Sequence, residues 1–234
     1  MLDVAIVLSG EIADREGFDY LVRSAAYLVA VDGGLNHLVD LDIIPDLFLG
    51  DFDSVGKDAL AKAEQWQIDI IKFPVHKNYS DSELAVKEIL FGQRFDLIAA
   101  KPVIGLLAAF GSRYDHLLNN QLLAKRFIEH ADFILSDGLL LQWILAGPRK
   151  FSLNWPCTEA NLAKEYIFSV LALSKSVKNL TICNSEYILN KYDLHSGHSI
   201  GISNLAQNAD YKRTSEVEIS FDKGCLTVII LPED

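Results

Sequence analysis

Cysteine is scarce in this 234-residue chain. Cys157, Cys183 and Cys225 stand far apart, are odd in number, and form no CxxC pair. Neither a disulfide framework nor a zinc site is therefore expected, and a reducing, cytoplasmic compartment is the simplest home. Positive charge is also short: 21 Lys and Arg against 32 Asp and Glu leave a net charge of −11. Such a surface repels polyanions, so neither nucleic acid nor an anionic membrane is expected as a partner. A small cation, or an anion delivered with a metal ion, is compatible with it. Long apolar runs are missing. The longest, Pro102–Phe110, is far shorter than the roughly 20 residues that span a bilayer. The opening MLDVAIVLSG has no basic residue ahead of it, so a buried strand is expected there rather than a signal peptide. Neither GxGxxG nor GxxxxGKS/T occurs, so the common dinucleotide fingerprint and the P-loop are absent.

Half of the residues are hydrophobic and 23% are charged, which is the balance of a globular protein with a sizeable core. Up to residue 136, short apolar runs alternate with helical patterns. Strands are predicted at Val4–Leu8, Tyr27–Val31, Leu47–Leu49, Ile68–Phe73, Val103–Ala108 and Phe133–Leu135. Helices are predicted at Phe18–Ala26, Asn36–Asp40, Lys57–Gln67, Ser80–Leu90 and Asp115–His130. The alternation implies right-handed crossovers and a mainly parallel sheet, with ligands beyond the carboxyl ends of its strands. After Ser136 the pattern becomes all-β. Strands are predicted at Leu139–Ile144, Ile167–Leu173, Leu180–Cys183 and Ile200–Ser203. Val217–Phe221 and Cys225–Leu231 are predicted to form a hairpin around Asp222-Lys223-Gly224. The fold class is therefore α/β followed by all-β, with domains at 1–136 and 137–234.

The distinctive residues fall just after strands. Asp40 to Asp58 holds six aspartates and one lysine. Within it, Asp51 and Asp53 flank Phe52. In extended backbone, residues i and i+2 point the same way, and two adjacent carboxylates repel unless a proton or cation sits between them. Mg²⁺ suits such a pair, taking one or two carboxylates and sharing phosphate oxygens; a polar loop is the alternative. Asp32-Gly33-Gly34 is either a tight turn or a place where backbone amides meet a ligand. Ser80 and Glu83 match a capping box. Asp81, next to Ser80, either answers the helix dipole or adds a third acid to a metal site. Lys77 is a phosphate ligand or a solvated lysine. Arg113 offers a fork for phosphate, Asp115 a helix cap, and His116 a phosphate or proton role. Gly201-Ile202-Ser203-Asn204 ends a predicted strand with two small polar residues. Trp143 and Trp155 are expected in a core or an interface.

In order along the chain, DGG (Asp32–Gly34), PDLFLGDFDS (Pro45–Ser54), KNYSDSELA (Lys77–Ala85), GSRYDHLLNN (Gly111–Asn120) and GISN (Gly201–Asn204) resemble the thiamine pyrophosphokinase family. The resemblance implies an α/β catalytic domain, a C-terminal β-sandwich that binds thiamine and dimerises, and a cytoplasmic homodimer. It implies transfer of the terminal diphosphate of ATP to the hydroxyethyl group of thiamine, giving thiamine diphosphate and AMP, with Mg²⁺. The matching metal ligands are Asp51, Asp53 and Asp81. The matching nucleotide and phosphate residues are Asp32, Gly33, Gly34, Gly50, Lys77, Arg113, Asp115 and His116. Ser203, with Asn204 beside it, matches the thiamine contact. A carboxylate is expected to take the thiamine hydroxyl proton, with Asp81 as the candidate. The chain departs from the family at Asn78, where an acid is usual, and at Ser112, where glycine is usual. Two alternatives share these residues: a metal-dependent nucleoside triphosphate phosphohydrolase, and a non-catalytic nucleotide- or thiamine-binding protein.

Overall fold

The structure is a computed structural model and describes residues 2–75, 78–92, 101–153, 166–206 and 217–232. It divides into two compact units, Met1–Gly138 and Leu139–Asp234.

The first unit is built on six strands: β1 (Leu2–Val7), β2 (Ala25–Val31), β3 (Leu47–Gly50), β4 (Asp69–Lys72), β5 (Val103–Leu107) and β6 (Asp132–Ser136). They lie in the order β4-β3-β2-β1-β5-β6, and the pairings among them are parallel. Five helices connect them: α1 (Arg15–Arg23), α2 (Gly34–Asp40), α3 (Lys57–Trp66), α4 (Asp81–Phe91) and α5 (Tyr114–Arg126). Parallel strands covered on both faces need unbroken apolar runs. Val4, Ala5, Ile6 and Val7 of β1, and Leu47, Phe48 and Leu49 of β3, are accordingly buried. The chain steps outward from β1 to β4, then returns to place β5 on the other side of β1. The direction of winding therefore reverses between β1 and β5, and a crevice opens there beyond the strand ends.

Boundaries differ from expectation where side chains choose locally. α1 starts early because Asp14 caps it, accepting from the amides of Glu16 and Gly17 at 3.0 and 3.3 Å, and it stops at Arg23 so that Ala25 can join β2. α5 starts at Tyr114 with Arg113 at the cap position. Asp115 thus lies inside the first turn and is not the cap.

The second unit holds two antiparallel sheets. One contains β7 (Leu141–Ala146), β13 (Cys225–Pro232) and β9 (Tyr166–Ala172), with β13 in the middle. The other runs β11 (Leu189–His195), β10 (Ser176–Cys183), β12 (Glu218–Phe221), β8 (Arg149–Ser152). Buried Val177, Leu180, Ile182, Ile219 and Phe221 face the interior from one layer; Phe168, Val170, Leu226 and Val228 do so from the other. The Trp143 ring lies 5.1 Å from that of Phe151; Trp155, like Cys157, is outside the described residues.

Three expectations for this unit are corrected. β8 and β11 were not anticipated, because RKFS and LNKYDLH carry too many polar residues to read as strands. Ile200–Ser203 is a turn, with only Asn204 bridging to Phe168. β12 and β13 do not pair: Asp222-Lys223-Gly224 is a corner between the two sheets. The Asp222 amide donates to Lys178 O at 3.0 Å and the Lys178 amide to Lys223 O at 2.9 Å, so β10 holds the corner.

Candidate active site

One cleft of about 510 Å³ lies in the first unit. Its walls come from the segment after β1 (Leu8–Glu11), the end of β2 (Val31, Asp32), the segment after β3 (Asp51, Asp53, Ser54), the start of α4 (Ser80–Ser82), the segment after β5 (Ala108–Arg113), and α5. All but α5 and the start of α4 are carboxyl ends of strands, as the reversal between β1 and β5 requires. α5 contributes Arg113 at its cap, His116 and Asn120. These positions, i, i+3 and i+7, share one helix face.

Asp51, Asp53 and Asp81, from two separate stretches of chain, all line this cleft together with Asp32. The route by which Asp51 and Asp53 arrive differs from the sequence argument. The backbone is not extended between them, since Phe52 has φ +71°. The Asp53 amide donates to Asp51 Oδ1 at 3.2 Å, forming a short Asp-closed turn. The left-handed Phe52 is held by its ring, stacked on Phe48 with centroids 4.3 Å apart, and by its amide, which donates to Asp32 Oδ1 at 3.0 Å. Positive φ in a bulky residue is costly, and such strain concentrates at functional sites.

Asp32 is the most constrained acid of the four. It has φ +44° and is 9% exposed. Burial pushes its carboxyl up to about 6, opposed by the Phe52 amide and aided by the charges of Asp81 and Asp51 and a hydrogen bond with Asp81. The folded protein therefore holds a proton that the unfolded chain, near 4, has already released. Between these values stability falls as pH rises, because the native state binds more protons. Wild type is expected to lose thermal stability relative to Asp32→Asn between about pH 4 and pH 7 without divalent cation. A constant difference in melting temperature across that range contradicts this.

Of the glycines near the site, Gly10 and Gly111 line the cleft. Gly33, Gly34 and Gly50 are not among the cleft-lining residues. The Gly33 amide donates to Ser54 Oγ at 3.0 Å, so Asp32-Gly33-Gly34 is tied to the segment after β3. Gly50 has φ +146°, and a Cβ there would run into the Asp32 carboxylate.

At α4, Ser80 Oγ accepts from the Glu83 amide at 3.2 Å, which is half of the expected capping box. The Glu83 carboxylate turns instead to Lys87 and Arg126, at 2.7 and 2.9 Å. At α5, Arg113 does present a fork, but Asp115 occupies it, with Nε and Nη2 at 2.9 and 2.7 Å from the two carboxylate oxygens. Both side chains are largely exposed, and the guanidinium holds the Asp115 carboxyl well below the usual range. Lys77 lies outside the described residues; Asn78 is exposed.

Sequence reasoning passed over several lining residues. Ser9, Gly10 and Glu11 follow β1, and Glu11 Oε1 accepts from the Ser112 amide at 3.0 Å. Asn120 is buried and donates to Ala109 O at 3.1 Å. The signal for the first group was available: a Ser-Gly pair directly after an apolar strand, like the DGG that follows β2.

In the second unit, Ser203 has φ +56° and is exposed, and its amide donates to Ser169 Oγ at 3.1 Å. Asn204 is buried, with its amide group spent on the chain: Oδ1 accepts from the Tyr187 and Leu205 amides, and Nδ2 donates to Tyr187 O.

Among the described residues, no three His, Cys, Asp or Glu side chains stand close enough to hold a metal ion unaided. The donor set nevertheless fits a hard cation that brings further ligands with it. Four carboxylates converge on one cleft, an oxygen-rich set of the kind that suits Mg²⁺ when phosphate and water complete its coordination.

Two family models match the chain. One is described as thiamin pyrophosphokinase, catalytic domain, over residues 18–133; the other as thiamin pyrophosphokinase, vitamin B1 binding domain, over residues 157–226. A thiamine pyrophosphokinase of Bacillus subtilis is 28% identical over 202 residues, spanning 86% of this chain and 85% of that protein. A solved structure of thiamine pyrophosphokinase from Bacillus subtilis superposes with a TM-score of 0.79 at 22% identity, over 99% of both chains. A thiamin pyrophosphokinase family protein from Enterococcus faecalis gives 0.74 at 26% identity, over 99% of both chains. The enzyme from Candida albicans gives 0.73 at 17%, over 98% of this chain and 88% of that one.

Proposed function

Because the chain belongs to the thiamin pyrophosphokinase family, we propose that its cleft transfers the terminal diphosphate of ATP to thiamine. The thiamine hydroxyl oxygen attacks the β-phosphorus in line. The bond from that phosphorus to the α–β bridging oxygen breaks, and AMP leaves. No covalent intermediate on the protein is needed, so positioning and charge neutralisation are the tasks.

The cleft residues match those tasks. Arg113 exchanges Asp115 for a phosphate oxygen pair, which its exposed position permits. Ser9, Ser54, Ser80 and Ser82 offer hydroxyl donors along the walls, and His116 adds a further donor. Asp81, hydrogen-bonded to Asp32, accepts the hydroxyl proton of thiamine. Asp51, Asp53 and Asp81 would hold Mg²⁺, with Asp32 behind them. Bound there with the triphosphate, Mg²⁺ supplies charge neutralisation at the phosphate oxygens. Ser203 is the proposed polar contact for thiamine, and Asn204 shapes the turn that presents it. A cytoplasmic homodimer is part of the same reading.

The observation that carries the reading is the convergence of Asp32, Asp51, Asp53 and Asp81 with Arg113 on one cleft. The test is purified protein with ATP, Mg²⁺ and thiamine, followed by chromatography. Thiamine diphosphate and AMP are expected in equal amounts, and only when thiamine is present. Nucleotide breakdown independent of thiamine points to a hydrolase, and no turnover at all to a binding protein.

A further inference from the structure

The first turn of α4 carries Asp81 into the cleft, and Leu84, the one apolar side chain of that turn, is only half-buried. The buried residues of α4 are Ala85, Val86 and Ile89, all beyond that turn. Polar tethers take their place. Glu83, whose side chain is only 16% exposed, receives Lys87 Nζ at 2.7 Å and Arg126 Nη1 at 2.9 Å on the same oxygen. The Lys87 ammonium also lies 3.6 Å from the centre of the Tyr79 ring. Tyr79 precedes Ser80, whose hydroxyl holds the Glu83 amide. Asp81 thus lies between tethered neighbours, Tyr79 and Ser80 on one side and Glu83 on the other. Arg126 closes α5, the helix that presents His116 and Asn120 to the cleft, so one ion pair joins the two helices that meet there.

A capping box would have turned the Glu83 carboxylate back onto its own helix end. Its diversion to a neighbouring helix suggests a different purpose. We propose that Glu83, Lys87 and Arg126 are positioning residues, a brace that sets Asp81 against the reacting groups. The inference rests on the diphosphotransfer reading. Arg126 stands in the last turn of α5, far along the helix from Arg113, so the brace acts on the reaction through Asp81 and not by touching ATP.

The experiment uses the full chain as wild type, Arg126→Ala, Arg126→Lys and Glu83→Gln. Arg126→Ala is expected to lower kcat about tenfold with KM for ATP and thiamine within about twofold, since misplacing a reacting group costs rate before binding. Arg126→Lys, which keeps a cation for Glu83, is expected to recover most of kcat. In parallel, hydrogen exchange at the amides of residues 82–84 is expected to quicken about tenfold in Arg126→Ala and to be restored in Arg126→Lys. A loss of kcat without faster exchange, faster exchange without loss of kcat, or no rescue by lysine overturns the proposal. Should Arg126→Ala not fold, Glu83→Gln, of the same shape, is held to the same two criteria against wild type. Should wild type make no thiamine diphosphate, the diphosphotransfer reading fails and this proposal falls with it; an active wild type beside an unimpaired Arg126→Ala overturns the brace alone.

Discussion

Asp51→Asn and Asp53→Asn are each expected to reduce kcat/KM by about 10²–10³-fold, the scale on which loss of one preorganised electrostatic contact is felt. The metal-free variants are expected to melt at the wild-type temperature or above it. Both expectations follow from charge rather than shape. Asparagine at position 51 keeps an oxygen for the Asp53 amide, so the short turn survives. What is lost is a negative charge in a cleft where burial, together with the charges of Asp81 and Asp51, already raises the Asp32 carboxyl to about 6. Removing repulsion stabilises the empty protein while weakening its hold on a magnesium-bound triphosphate. Steady-state kinetics over a Mg²⁺ titration, with melting curves taken in chelator, check both halves. Near-normal turnover at low Mg²⁺ in either variant defeats the metal assignment.

Gly50→Ala is expected to be strongly destabilising, at about 2–4 kcal/mol of unfolding free energy. Two independent costs add. A φ of +146° is a conformation that L side chains rarely adopt, and the new Cβ would meet the Asp32 carboxylate. That carboxylate cannot move aside cheaply, because its Oδ1 is held by the Phe52 amide and its backbone amide donates to Leu49 O at 3.0 Å. Displacing Asp32 also disturbs Phe52, and through it the Asp51 and Asp53 turn. Activity should therefore fall together with stability. Denaturant unfolding that shows a cost below about 1 kcal/mol, with turnover intact, contradicts this account.

Much of the first unit was legible because buried parallel strands must be apolar throughout. VAIV, LVAV and LFLG announce themselves, and the acidic and glycine-rich segments follow directly after them. The direction in which Asp51 and Asp53 point was not legible. Nothing in GDFDS distinguishes an extended strand end from a left-handed turn at Phe52; that choice depends on Phe48 and Asp32, which are distant in the chain. Arg113 shows the same limit. Its residue type predicts a fork, but not that Asp115, two residues on, fills it. In the second unit, β8 and β11 escaped notice because edge strands carry polar residues on their open side. The corner at Asp222–Gly224 passed for a hairpin because a turn sequence specifies a reversal and not which strand receives it.

Strand β13 lies between β7 and β9 yet follows both in the chain. During synthesis on the ribosome its two neighbours emerge first and have no partner to bridge them. The second unit therefore cannot close until Cys225–Pro232 leave the exit tunnel, whereas every strand of the first unit is by then available. A nascent chain that still lacks this strand is expected to expose the apolar edges of β7 and β9, a surface of the kind that chaperones protect.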